Sequence, residues 1–106
     1  MDILEKKNKY NHLYDFYGCL LTEKQQKYFT SYYFDDMSLS EIADIYNISR
    51  NAVHDQLKKI YNLLDYYEDK LHLSAKEKEM NVIFKQYENN SNIDVQELIN
   101  KLRSVE

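Results

Sequence analysis

Apolar side chains recur along the chain at helical spacing and predict amphipathic helices joined by short polar loops. The first predicted helix covers about residues 4–19. Its apolar face is formed by Leu13, Phe16, Tyr17 and Leu20. Thr22, with Gln25 three residues later, has the pattern of a capping box and marks the start of a second helix. That helix is expected to run to about Phe34. Its expected buried residues are Phe29, Tyr32 and Tyr33.

A second capping box begins at Ser38, with Glu41 at its third helical position. The third predicted helix is short, from Leu39 to Tyr46. Its expected inward residues are Ile42, Ile45 and Tyr46. Asn47 tolerates the left-handed backbone conformation, so it can end this helix and turn the chain sharply. Ser49 is then expected to cap a fourth helix.

The fourth predicted helix is long, because its apolar positions continue at spacings of three and four. These positions are Val53, Leu57, Ile60, Leu64, Tyr67 and Leu71. From Arg50 to Leu71 the helix would span about 33 Å at about 1.5 Å per residue. A three-helix unit can cover only its first half. The second half is therefore expected to pack on the C-terminal helices, on a second subunit, or on both, which favours a homodimer.

Two short amphipathic helices are predicted after the long one. Ser74 with Glu77 marks the fifth helix, which has Met80, Ile83, Phe84 and Tyr87 on its inward face. Asp94 with Glu97 marks the sixth, whose apolar positions are Val95, Leu98, Ile99, Leu102 and Val105. The prediction is an all-α single domain, 1–106. It has a trihelical helix-turn-helix core at 21–62 and a helical extension at 63–106 for dimerisation or self-packing.

Several requirements of a helix-turn-helix coincide between residues 39 and 58. Ala43 is small, so a second helix can cross closely over it, and Asn47 can turn the chain. The two helices would be locked together by Ile42, Ile48, Val53 and Leu57. An ordinary helical hairpin is the alternative. The hairpin is less favoured, because it does not require a small residue, a turn residue and four apolar residues at these particular positions.

Composition narrows the classes of function. The chain has no Pro, one Gly and one Cys, so it cannot form an internal disulfide or a cysteine-based metal site. Cys19 follows Gly18 in an apolar stretch and is expected to be a buried thiol. The charged N-terminus is no signal peptide, and no apolar run is long enough to insert in a membrane, which favours the cytoplasm. Neither a catalytic constellation nor a cofactor-binding or metal-binding motif is present, so we expect no enzyme.

The outward residues of the fourth helix are the candidate DNA contacts, because the N-terminal half of such a helix enters the major groove. These residues are Arg50, Asn51, His54, Lys58 and Lys59. Arg50 could bond guanine or phosphate and Asn51 could bond adenine, while the two lysines would lie on phosphates. Asp55 faces the same way and repels phosphate. A solvated helix face remains the alternative for each residue, and the preferred one for His54 and Asp55.

The residues from 21 to 53 resemble region 4 of sigma factors, a promoter-binding helix-turn-helix. The matching segments are Leu21–Phe29, Tyr33–Phe34, Leu39–Ala43, Ile48–Arg50 and Val53. The chain has no counterpart of the sigma region that melts promoters, so it should not be a sigma factor. With Leu13–Tyr17 and Leu64–Glu68 added, nearly the whole chain is similar to the YlxM-like family, which is encoded beside the signal-recognition-particle GTPase. At the turn, Asn47 stands where Gly is usual.

The resemblance implies a DNA-binding regulatory protein, with a link to the signal recognition particle pathway. The alternative is an accessory factor of that system that does not read DNA and instead binds protein or RNA. The net charge of −4 favours the alternative, since nonspecific nucleic-acid binding usually needs a basic surface. Residues 38–61 are neutral overall, with three acidic and three basic side chains. Sequence reasoning leaves both hypotheses open.

Overall fold

Residues 2–105 are described by the structure, a computed structural model, and within them every regular element is helical. The elements are α1 Ile3–Tyr17, a 3₁₀ turn Gly18–Leu20, α2 Glu23–Tyr33, α3 Leu39–Tyr46, α4 Arg50–Leu71, α5 Leu73–Tyr87 and α6 Ile93–Val105. The all-α class and the order of the predicted helices are confirmed. The chain forms two compact units. The first ends at His72 and the second begins at Leu73.

The predicted caps of the helix-turn-helix segment are present. Thr22 Oγ1 accepts from the Gln25 amide while the Gln25 side chain accepts from the Thr22 amide. Ser38 and Glu41 form the same reciprocal pair. Ser49 Oγ accepts from the amide of Ala52 at 3.0 Å. Each of these bonds satisfies a backbone donor that the first helical turn leaves unpaired, so the starts of α2, α3 and α4 are fixed locally.

The first unit contains one apolar core to which α1, α2, α3 and α4 all contribute. Its fully buried side chains are Tyr17, Tyr28, Phe29, Ile42, Val53, Ile60 and Leu64. The second half of α4 is covered by α1 within the same unit. Tyr10 stacks on Tyr61 with ring centroids 4.3 Å apart, and Tyr17 donates a hydrogen bond to Glu68. The expectation that this half needs the C-terminal helices or a second subunit is therefore wrong for Leu64.

Some apolar residues of the first unit are exposed where burial was expected. Ile45 is 63 % exposed because the inward face of α3 is centred between Ile42 and Ala43, and Ile45 lies beyond its edge. Cys19 is exposed, so the expected buried thiol is wrong. The chain leaves the α-helix after Tyr17 and continues as a 3₁₀ turn. This turn keeps Gly18 buried and directs Cys19 outward, since 3₁₀ geometry advances each residue further around the axis.

The second unit consists of α5 and α6. Phe84 and Ile99 are its buried apolar residues, and the Arg103 guanidinium lies 5.0 Å from the centre of the Phe84 ring. Gln96 Nε2 donates to backbone carbonyls of the connecting loop, including that of Asn90 at 2.7 Å. Several residues expected to be inward are instead exposed, because a helix pair covers only one row of each helix. These are Ile83, Tyr87, Leu98, Leu102 and Val105.

The starts of the last two helices differ slightly from the predicted ones. α5 begins at Leu73, one residue before Ser74. Asp94 lies inside the first turn of α6, so it is not the capping residue that the sequence pattern suggested. Asn92 takes this role, and its Oδ1 accepts from the Asp94 amide at 2.8 Å. Asn and Asp cap helices about equally well, so the sequence pattern does not decide between Asn92 and Asp94 as the N-capping residue.

Candidate nucleic-acid interface

The crossing of α3 and α4 is built around Ala43. Its side chain is 6 % exposed, and its carbonyl accepts from the amides of Asn47 and Ile48. Asn47 has φ 54° and ψ 46°, the left-handed conformation that the sequence predicted. This turn directs the chain from α3 into Ser49 and α4, and full burial of Val53 holds the start of α4 on the core. The segment thus has the parts of a helix-turn-helix, each in its expected place.

All five residues predicted to contact DNA are exposed on α4. They are Arg50, Asn51, His54, Lys58 and Lys59. They form two neighbouring rows, because residues four apart on a helix lie one above the other. We call the first the basic row, which consists of Arg50, His54 and Lys58. The second row is mixed and contains Asn51, Asp55 and Lys59. The structure therefore brings the predicted residues together on one continuous surface.

The carboxylate that counted against DNA binding lies in the mixed row. Asp55 Oδ1 is 3.8 Å from His54 Nδ1, and both side chains are largely exposed. The pair becomes an ion pair when the imidazole is protonated. The basic row itself contains no carboxylate, and no acidic residue occupies the first turn of α4. A count of charges along the sequence gives zero for this segment, and on α4 the Asp55 carboxylate lies in the row next to the basic row, beside His54.

Sequence reasoning missed a groove beside the basic row. It has a volume of about 410 Å³, and its basic lining residues are Lys6 and Lys7 of α1 with His54 and Lys58 of α4. Tyr32, Tyr33 and Tyr61 supply aromatic walls. Lys6 and Lys7 could not be linked to α4 from the sequence, since about fifty residues separate them. Two adjacent lysines near the start of an amphipathic helix do suggest a basic surface, but they do not show which other helix lies beside it.

The tyrosine rings of the groove lie close to its lysines. The Lys6 ammonium lies 4.9 Å from the Tyr61 ring centre, and that of Lys7 lies 4.8 Å from the Tyr32 ring centre. Tyr33 donates a hydrogen bond to Tyr61 Oη at 3.0 Å. Burial raises the pKa of Tyr33 and of Tyr61 above the ordinary value for the phenol, and the hydrogen bond to Tyr61 raises the pKa of Tyr33 further. Tyr33 and Tyr61 therefore stay neutral beside the lysines of the groove.

Other chemistry finds little support in the part of the chain from residue 2 to 105. No group of three or more His, Cys, Asp or Glu side chains there could hold a metal ion. None of the helices described is both long enough and apolar enough to cross a membrane.

Comparison with known proteins identifies the group to which the sequence is related. UPF0122 protein YofM of Lactococcus lactis subsp. lactis is 43% identical over 103 residues, which are 97% of this chain and 92% of the relative. A UPF0122 protein of Halalkalibacterium halodurans is 48% identical over 84 residues, 79% of this chain and 77% of the relative. One from Bacillus pumilus is 50% identical over 82 residues, 77% of this chain and 74% of the relative.

The family model described as "Putative helix-turn-helix protein, YlxM / p13 like" matches residues 4–105, which include both the crossing at Ala43 and the rows on α4. The predicted resemblance to YlxM-like proteins is confirmed. With relatives similar over most of its length and a helix-turn-helix in its first unit, this chain belongs to the UPF0122 family of YlxM / p13-like helix-turn-helix proteins.

Proposed function

We propose that this protein is a DNA-binding regulatory protein that inserts the N-terminal half of α4 into the major groove. The observation that carries the proposal is the basic row of Arg50, His54 and Lys58. It is exposed and stands on a helix held at the crossing with α3, and the Asp55 carboxylate lies 3.8 Å from His54 Nδ1 in the neighbouring row. Major-groove readers present the start of their second motif helix to the bases in this way.

Each exposed residue has a role that follows from its chemistry. Arg50 is nearest the helix start and can donate two parallel hydrogen bonds to guanine or bind a phosphate. Asn51 can pair with adenine through its amide. Lys58 and Lys59 lie two turns further on and would neutralise phosphates at the edge of the groove. His54 lies between Arg50 and Lys58 along the helix and adds positive charge when it is protonated.

Selection from a pool of random duplexes, at low and at moderate salt, tests this function. The wild-type protein should retain a defined sequence. The Arg50→Ala/Asn51→Ala variant should bind that sequence at least tenfold more weakly, since a good side chain–base pairing contributes about 1–3 kcal/mol. Lys78→Ala/Asn81→Ala is the matched control, because it removes the same types of group from exposed positions on α5. The proposal would be overturned if the wild-type protein retains no sequence from the pool and the Arg50→Ala/Asn51→Ala variant binds duplex DNA as tightly as the wild type does.

A homodimer is part of this proposal, because helix-turn-helix proteins usually read two half-sites about 34 Å apart. Leu64 no longer supports it, since that side chain is fully buried within its own unit. The remaining support is apolar surface, including Leu71 at 45 % exposed and Leu98 at 57 % exposed. Light scattering at micromolar concentration measures the mass. A monomer mass for the free protein, together with the mass of one protein chain per duplex for the complex, would contradict the dimer.

A second candidate is an accessory factor that binds protein or RNA, with components of the signal recognition particle as the proposed partners. The net charge of −4 favours it, because strong DNA binders are usually basic. Pull-down with the particle's RNA and with its protein distinguishes the two functions. Capture of either one without any retained duplex would favour the second candidate, whereas capture of duplex alone would favour the first.

A further inference from the structure

The groove between α1 and α4 is positively charged although the chain as a whole is acidic. Its lining residues include Lys6, Lys7, Lys58 and His54 but no carboxylate. The protein carries 18 acidic against 14 basic residues. The lysines of the groove therefore make it suited to an anionic ligand.

The groove lysines are available to such a ligand. Within residues 2–105, none of the ion pairs of the structure involves Lys6, Lys7 or Lys58, whereas Lys9 on the same helix pairs with Asp65 at 3.2 Å. Lys6 and Lys7 instead lie over tyrosine rings, which attract a cation without neutralising its charge. Their ammonium groups therefore keep the capacity to bind a phosphate.

The groove is continuous with the basic row of α4. His54 and Lys58 belong to both surfaces, so the exposed side chains of α4 adjoin Lys6 and Lys7 of α1, and the Asp55 carboxylate lies beside them at His54. A duplex whose major groove receives α4 has a phosphate strand on either side of the helix, because the groove is only about 12 Å wide. One of these strands would run along the side of α4 that faces α1.

We propose that the groove binds the phosphate backbone of duplex DNA, with Lys6 and Lys7 of α1 as contacts outside the helix-turn-helix. The inference rests on the proposed DNA-binding function and adds a second element to that interface. A duplex backbone fits better than unstacked bases, because the ring faces of Tyr32 and Tyr61 that bases would need are already approached by lysines. These contacts raise affinity for every sequence, since phosphates carry no sequence information.

Salt titration of duplex binding is the first test. The Lys6→Gln/Lys7→Gln variant should lower affinity by a similar factor for the selected duplex and for a mixed-sequence duplex. It should also reduce the slope of log K against log salt by about two, one counterion for each lost phosphate contact. Lys6→Arg/Lys7→Arg should restore the slope. The control Lys24→Gln/Lys27→Gln removes the same charge from α2, outside the groove, and should change the slope by less than half as much.

Chemical footprinting of the unmodified protein is the second test and does not depend on how the variants fold. Acylation of lysines, read by mass spectrometry, should be slowed at Lys6, Lys7 and Lys58 by saturating duplex and left unchanged at Lys24 and Lys27. Equal acylation of Lys6 and Lys7 with and without bound duplex would overturn the inference.

The outcomes separate this inference from the proposed function. Loss of sequence preference in Arg50→Ala/Asn51→Ala, with wild-type salt dependence in Lys6→Gln/Lys7→Gln, would leave the function standing and remove the groove from the interface. Binding of mixed-sequence duplex that depends on Lys6 and Lys7, with no sequence retained from the pool, would support the groove and overturn sequence reading. Absence of binding to any duplex at low salt would overturn both.

Discussion

Tyr10 of α1 donates a hydrogen bond to Asp65 of α4, with 2.8 Å between Tyr10 Oη and Asp65 Oδ2. The two residues are 55 positions apart in the sequence. Lys9 reinforces the contact, because its Nζ lies 3.2 Å from the other carboxylate oxygen of Asp65. This bond fixes α1 along the second half of α4, and Leu64 in the same stretch of α4 is fully buried. α1 is thereby an integral part of the first unit.

Truncation of Leu64 should therefore destabilise an isolated chain. Leu64→Ala is expected to lower the free energy of unfolding by about 2–5 kcal/mol, the usual range for a fully buried leucine. Leu71→Ala is the matched control on the same helix and should cost much less, because Leu71 is 45 % exposed. Urea denaturation followed by circular dichroism measures both. Equal effects of the two variants would show that α1 does not cover this part of α4.

The fold was predictable from the sequence where local signals determine it. The capping pairs at Thr22 and Ser38 and the turn at Asn47 each specify backbone geometry within a few residues, so their predictions are confirmed. The covering of α4 by α1 was not predictable, because apolar spacing shows which face of a helix is buried but not what buries it. Cys19 shows a further limit, since a single 3₁₀ turn reverses an expectation based on apolar neighbours.

Enlargement of Ala43 should disturb the crossing of α3 and α4. Ala43→Leu adds volume where the side chain is 6 % exposed, and overpacking of this kind typically costs about 1–3 kcal/mol. Ser40→Leu on the exposed face of the same helix should change stability by less than about 0.5 kcal/mol. Thermal unfolding of both variants checks this. A destabilisation no larger for Ala43→Leu than for Ser40→Leu would argue against a close crossing.

Asn47 gives a backbone test of the same motif. Its φ of 54° is readily adopted by glycine and is unfavourable for alanine. Asn47→Ala should therefore lower the free energy of unfolding by about 1 kcal/mol, whereas Asn47→Gly should leave it unchanged or raise it slightly. Chemical denaturation of the pair provides the comparison. The prediction fails if alanine and glycine at this position give equal stability.

The candidate site was predictable in part. Exposure of Arg50, Asn51 and Lys58 follows from the helical period once Val53 and Leu57 are known to face the core. The division of these side chains into the basic row and the mixed row also follows from that period. The contribution of Lys6 depends on tertiary packing of α1 beside α4. No local pattern near Lys6 specifies that packing.

Alkaline pH should destabilise the first unit through Tyr10, which is buried, and Tyr33, which is half-buried. Burial raises the pKa of Tyr10 and of Tyr33, and the hydrogen bonds that they donate to Asp65 and Tyr61 raise it further. Above about pH 10 the unfolded chain loses these protons while the folded protein keeps them. The unfolded state then binds fewer protons, so stability falls as pH rises, by about 1.4 kcal/mol per pH unit for each such tyrosine.

The Tyr33→Phe variant isolates one of these contributions. It should be about 1 kcal/mol less stable than the wild type near pH 7, because it loses the hydrogen bond to Tyr61. Above about pH 10 its stability should fall less steeply, so the difference between the two proteins narrows as pH rises. Urea denaturation at a series of pH values measures it, and parallel curves above pH 10 would contradict the assigned burial of Tyr33.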